Sequence, residues 1–165
     1  MASIQKNSNF AAAMSEMDNF KINARSVKAA PLHRTFHLDD EFFHNLEQDE
    51  IKGGDINAEL TLRHTGTDTY EAAYAIHGTV TVTCDRCLDD LVLPVAVEET
   101  RILKDDPAAR EATDERITLL DGGHYDAAWE LYELIELSLP LQRVHDVNDC
   151  DPDVVSRLHA TDDEA

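Results

Sequence analysis

Between Ile56 and Val97 the chain alternates apolar and polar residues, and this pattern constrains its fold more than any other feature. Ile56, Ala58, Leu60 and Leu62 stand at every second position, Gly66-Thr67-Asp68 supplies a turn, and Tyr70, Ala72, Tyr74 and Ile76 resume the alternation. Gly78 breaks the register, and Val80 and Val82 carry it on to Cys84. Successive side chains of a strand point to opposite faces, so such runs bury one face and wet the other. Joined by turn-forming residues, they predict a meander of antiparallel strands. Leu91, Leu93, Val95 and Val97 extend it with a strand running to Leu103. Pro94 inside that strand marks an edge position or a bulge, because proline has no N–H for a ladder.

The flanking segments read differently. Met1 to about Phe20 is polar and aperiodic, a flexible tail, with Met17 placed where a second start site is conceivable. Lys21 to Val27 suits an edge strand, and Leu32 to Leu38 alternates again. Asp39 or Asp40 can cap a short helix carrying Phe42, Phe43 and Leu46 at helical spacing. Asp105 to Glu115 reads as a mobile loop and Ile117 to Leu120 as a short strand. From Asp126 the period lengthens. Ala127, Ala128, Leu131, Leu134, Ile135 and Ser138 follow a 3.6-residue repeat, beside Trp129 and Tyr132, which we expect in the core. Pro140 ends that helix. The reading is therefore one α+β domain over residues 21–150: an antiparallel meander with scope to curl into a barrel, one main packed helix and a short N-terminal one. Residues 1–20 form the flexible tail and Asp151 to Ala165 an acidic one.

Charge bounds the partners. The 165 residues include 34 acidic and 14 basic ones, a net charge of −20. Affinity for nucleic acid is dominated by clustered Lys and Arg on phosphate, so unaided RNA binding is disfavoured. A basic protein, such as a ribosomal protein, suits this field, and excess acid also suits plain solubility. No run approaches the roughly 18 apolar residues of a membrane span, and the N-terminus has no secretory pattern. Three cysteines, two of them in a Cys-x-x-Cys, point to a reducing cytoplasm and away from a disulfide framework.

Those cysteines carry the one chemical constellation. Cys84 and Cys87 fall where a strand ends and turns, and His145 and Cys150 follow the Leu139-Pro140 break. Three thiolates and an imidazole are the donor set of a closed structural zinc site, with no position left for catalysis. Two other readings stay open at this point. The thiols can be inert and half-buried, or they can do redox chemistry. Redox is disfavoured because a reactive Cys-x-x-Cys opens a helix, and this one lies between strands. Arg86 favours a thiolate and Asp85 opposes one. Gly53-Gly54 and Gly122-Gly123 are too isolated for a phosphate loop. His124 and Asp126 read as a loop histidine beside a helix cap. No nucleophile has an adjacent base, so the expectation is a protein that is not an enzyme.

Two stretches bear a resemblance. Gly78-Thr79-Val80-Thr81-Val82-Thr83-Cys84-Asp85-Arg86-Cys87-Leu88 resembles the signature of the bacterial YceD family, the large ribosomal RNA subunit accumulation proteins, with plastid relatives. Ile135-Glu136-Leu137-Ser138-Leu139-Pro140, followed by His145 and Cys150, resembles its second motif, and the likeness covers roughly Asp39 to Cys150. Some relatives carry further cysteines in a Gly-Leu-Cys-x-x-Cys-Gly run. Here Asp151-Pro152-Asp153 stands instead, so any metal must be shared with Cys84 and Cys87. The resemblance implies a non-enzymatic role in accumulation or processing of 23S ribosomal RNA. Together with the charge, it leads us to expect contact with a basic ribosomal protein or a large-subunit precursor ribonucleoprotein, with any base contacts made near Arg86 and Arg143. A metal-stapled interaction module unrelated to ribosomes is the alternative.

Overall fold

The computed structural model describes residues 17–106 and 117–145. Its centre is a five-stranded sheet in the order β2-β3-β4-β5-β6. The strands are β2 (Leu32–Leu38), β3 (Gly53–Gly66), β4 (Thr69–Thr83), β5 (Asp90–Lys104) and β6 (Ile117–Leu119). The three long strands form the meander that the alternation predicts. Ala58 faces Ile76, and Ile76 faces Val97; Leu60 faces Tyr74. Ile56, Leu60, Leu62, Ile76, Val80 and Val82 are all buried, whereas Asn57, Glu59 and His77 on the opposite face are not. Asp68, at φ 55, makes the turn between β3 and β4. Gly78 is the position that only glycine can fill. Its φ is 151, and a Cβ there would overlap the Asp55 carbonyl oxygen of the neighbouring strand.

The sheet is open, with β2 at one margin and β6 at the other, and no closed barrel is found among the described residues. β6 pairs with β5 in parallel, Ile102 with Ile117 to Lys104 with Leu119, so the meander ends at β5. A parallel neighbour needs a crossover connection. Of the mobile loop expected over Asp105 to Glu115, only Asp105 and Asp106 are described, and Asp105 is buried and paired with Arg25; residues 107–115 lie outside the described residues. β1 (Lys21–Asn23) is a strand, but its partner is β7 (His124–Asp126) in a separate two-stranded sheet. Burial explains the choice. Ile22 is buried, and Phe20, the last residue of the segment expected as a tail, stacks on Phe36 at 4.7 Å between ring centroids.

Two helices complete the fold. α1 (Asp40–Asn45) is capped by Asp39, whose side chain accepts a hydrogen bond from Phe42 N–H, and it buries Phe42 and Phe43. α2 (Ala127–Ser138) starts at Asp126, whose carboxylate accepts from Ala128 N–H, and it buries Leu131, Leu134 and Ile135. Glu130 lies on the same buried side and meets Arg101 of β5 at 3.2 Å. Burial pushes its carboxyl above the usual range, against the pull of Arg101. Trp129 departs from expectation. It is 48% exposed, because the helical repeat turns it outward, where it packs on Tyr132 at 5.4 Å. No described helix is long and apolar enough to cross a membrane.

Candidate metal centre

β4 ends at Thr83, and the chain then turns through Cys84-Asp85-Arg86-Cys87 before β5 begins at Asp90. Two backbone bonds close the turn: Leu88 N–H donates to the Cys84 carbonyl at 3.0 Å, and Cys84 N–H donates to the Asp89 carbonyl at 2.8 Å. Leu88 adopts a positive φ of 65 to make the return. Both thiols face inward, with Cys84 fully buried and Cys87 6% exposed.

The third member arrives from a different part of the chain. After α2, the segment Leu139 to His145 runs back across the turn and is fastened to it. Asp85 N–H donates to the Arg143 carbonyl at 2.7 Å, and Arg143 N–H donates to the Asp85 carboxylate at 3.0 Å. The Arg143 guanidinium donates to Glu50 at 3.1 Å. His145 is thereby set against the cysteines, with Nδ1 at 3.3 Å from the Cys87 Sγ. Its Nε2 lies 2.9 Å from the Asp90 carbonyl, which can only accept. The Nε2 therefore carries a proton, and in the neutral ring Nδ1 presents its lone pair to the sulfurs. Metal-ligating histidines are oriented by this kind of outer hydrogen bond.

The electrostatics favour the ligand form of the first thiol. Burial raises the Cys84 pKa. The N–H groups of Cys87, His145 and Arg86, with the Cys87 thiol, outweigh it and bring the value down to about 6. The Asp90 carbonyl raises the pKa of His145; burial opposes this, and the two sulfurs add to it.

The ligand atoms of Cys84, Cys87 and His145 all lie within 4.8 Å of one another, and they make up the one such group of three among the described residues. A tetrahedral zinc with Zn–S near 2.3 Å sets its donor atoms roughly 3.5–3.8 Å apart. The Cys87–His145 edge, at 3.3 Å, needs only a slight expansion, and the other edges need at most about an ångström of contraction. The donor set suits zinc. Cys150 lies outside the described residues. The buried thiols, in a turn between strands, lack the exposure and helix terminus that redox cysteines use.

Arg86 is half-buried within the turn, and the Arg143 side chain is 17% exposed against Glu50. His124 and Asp126 do not form an acid/base pair, since Asp126 is spent on the helix cap. Sequence reasoning missed the residues that position the cluster: Asp85, which receives the Arg143 segment, the Asp90 carbonyl and Glu50. A carboxylate between two cysteines is a usable signal for the first. Nothing local marks the other two.

No curated protein and no solved structure matches the chain. A family model does, described as large ribosomal RNA subunit accumulation protein YceD, and it matches residues 72–164. That span is more than half of the 165 residues and takes in the Cys84–Cys87 turn, His145 and Cys150. The chain that folds this turn against the segment after α2 belongs to the YceD family.

Proposed function

We propose that the protein is a non-enzymatic, cytoplasmic factor in biogenesis of the large ribosomal subunit, supporting accumulation or processing of 23S ribosomal RNA. The observation that carries this reading is the family match over the residues that build the Cys/His cluster. In this reading Cys84, Cys87, His145 and Cys150 hold one structural zinc. The metal would lock the β4–β5 turn to the segment after α2 and leave no open position for a substrate. The family is described by an effect on ribosomal RNA accumulation, which agrees with a role in assembly rather than turnover.

The net charge of −20 favours a basic ribosomal protein, or a precursor particle already carrying such proteins, over bare RNA. Arg86 and Arg143, in or beside the cluster, are the proposed local contacts with the ribonucleoprotein. The test is sedimentation of cell extract with the protein tagged at its native level, together with the ratio of 23S to 16S RNA after depletion. Co-migration with large-subunit precursors and a lowered ratio support the proposal. A protein that stays at the top of the gradient, with an unchanged ratio, refutes it.

A further inference from the structure

Among the described residues, one side of β5 has no neighbouring strand for most of its length. β4 pairs with β5 from Asp90 to Lys104, but β6 reaches only Ile102 to Lys104. Between Asp90 and Arg101 the other margin of β5 meets no strand among the described residues. Backbone groups of alternate residues face the same margin. The Lys104 carbonyl accepts from Leu120 N–H on the β6 side, so residues of even number point that way. Pro94, opposite Thr79 in an unshifted ladder, falls in this set, where its lack of an N–H costs the β4 pairing nothing. Ala96, Glu98 and Thr100 follow, each with a donor and an acceptor turned to the open margin.

A groove of about 440 Å³ runs beside that margin, with Ala96, Glu98 and Glu99 on one wall and Leu134, Leu137 and Ser138 of α2 on the other. Leu137 is 74% exposed, and Val92, further along the strand, is 61% exposed. The charge here is mostly of one sign: the groove also contains Arg101, but Glu130 meets that guanidinium at 3.2 Å, which leaves Glu98, Glu99, Glu133 and Glu136 to set the field. α2 carries Glu130, Glu133 and Glu136, and neither it nor β5 before Arg101 has a Lys or Arg. The last turn of α2 has no basic residue either, so the negative end of its dipole adds to the field.

We propose that the free margin of β5 and the α2 groove take an extended, lysine- or arginine-rich segment of a partner protein, added to the sheet as a further strand. Unpaired edge groups specify an extended backbone, the exposed Leu137 takes alternate apolar side chains, and the surrounding carboxylates take the basic ones. Ribosomal assembly supplies many such basic segments. The inference thus gives the reading above a docking place and rests on that reading only for the partner's identity.

The probe is a nine-residue peptide alternating lysine and valine, titrated against the full-length chain while amide hydrogen exchange is followed residue by residue. Binding should slow exchange at Ala96, Glu98 and Thr100. It should weaken about tenfold or more when the peptide is N-methylated along its hydrogen-bonding edge, when glutamate replaces lysine, and in Leu137→Ser. Leu137 is exposed, so that variant keeps its fold. Equal binding of the methylated peptide would reduce the effect to bulk charge and overturn the proposal. So would absence of binding, or amides at these three positions already protected in the free chain, since either result closes the edge to a partner. None of these outcomes depends on co-sedimentation with ribosomal precursors, so the two proposals fail separately.

Discussion

The β4–β5 ladder pairs Thr69 with Lys104 at one end and Thr83 with Asp90 at the other, roughly 45 Å apart at the usual rise per residue. Each end is fastened to a segment remote in sequence, by opposite chemistry. At the Lys104 end, Arg25 forks onto Asp105, with Nε at 2.6 Å from one oxygen and Nη2 at 3.2 Å from the other. Ala24 N–H donates to the Gly123 carbonyl beside it, and Asp105 N–H to the Asp68 carbonyl. At the Asp90 end, two buried thiols meet an imidazole. The ionic clasp pairs an exposed cation with a buried carboxylate and offers no thiol or imidazole to a metal. The Cys/His end has donors that can take a metal, with its histidine tautomer already set by Asp90. The family match covers the second end and stops short of Arg25. Fastening a long ladder therefore needs no thiols, and at this end the thiols and imidazole offer a donor set through which a metal can do the fastening.

The largest effect should come from breaking the Cys/His end. Cys84→Ser should lose about one zinc per chain by elemental analysis and about 3 kcal/mol of stability, roughly 10 °C in Tm for a chain of this size. His145→Ala should lose the metal as well. Wild-type protein purified without metal, with a Cys84→Ser variant of unchanged Tm, would show that this end neither takes a metal nor holds the ladder, and would reverse the ranking of the two ends.

Breaking the other end should cost less and depend on conditions. Asp105→Asn should lower Tm by less than Cys84→Ser and leave metal content intact. The Arg25 hydrogen bond is the main reason that the Asp105 carboxyl titrates below the usual range; burial opposes it, and the Arg25 charge and Gly123 N–H assist. A lowered folded-state pKa gives stability that is present above about pH 4 and disappears as pH falls through the lowered value. The difference in Tm between wild type and Asp105→Asn should therefore be constant near neutrality and vanish in acid. A difference that persists at pH 2 would assign the clasp to packing instead of charge.

How far the sequence revealed these two ends differs as well. The long strands were legible because one buried face imposes a strict alternation, as at Ile56 to Leu62 and Tyr70 to Ile76, and a one-residue slip would expose all of it. Helix α2 was legible from its period and from Asp126. The Cys/His cluster was half legible: donor types and order pointed to Cys84, Cys87 and His145 together, but the backbone contacts of Asp85 with Arg143 that deliver His145 have no pattern in one dimension. The Arg25–Asp105 clasp left no trace, since it joins residues 80 apart among many charged ones. The pairing of β1 with β7 was hidden for the same reason, two three-residue strands being too short to show a period. Trp129 lies outward although it is strongly hydrophobic, because its angle on α2 and not its hydrophobicity decides its burial.

The two ends should also separate by reagent. In 1 M salt, where the screening length is about 3 Å, the exposed Arg25 pair weakens while buried donors do not. Amide exchange at Ala24 and Asp105 should then speed up, with Asp85 and Arg143 unchanged. A chelator should do the reverse. If salt opens both ends alike, the ladder behaves as a single cooperative unit and the distinction is one of composition only.

The smallest effect tests what holds the segment that carries His145. Leu139 is buried and Leu141 fully exposed, two residues apart on the path from α2 to the cluster. If the segment is held by its backbone pairing with Asp85, by Arg143 on Glu50 and by His145, then Leu141 contributes nothing to its placement. Leu141→Ser should therefore shift stability by no more than about 0.5 kcal/mol, as substitutions at exposed positions do, and leave metal content unchanged. Arg143→Ala should move both, because it frees the Glu50 carboxylate and loosens the path to His145. A loss of metal in Leu141→Ser, with Arg143→Ala silent, would place the hold in apolar contact and reverse the account of this end.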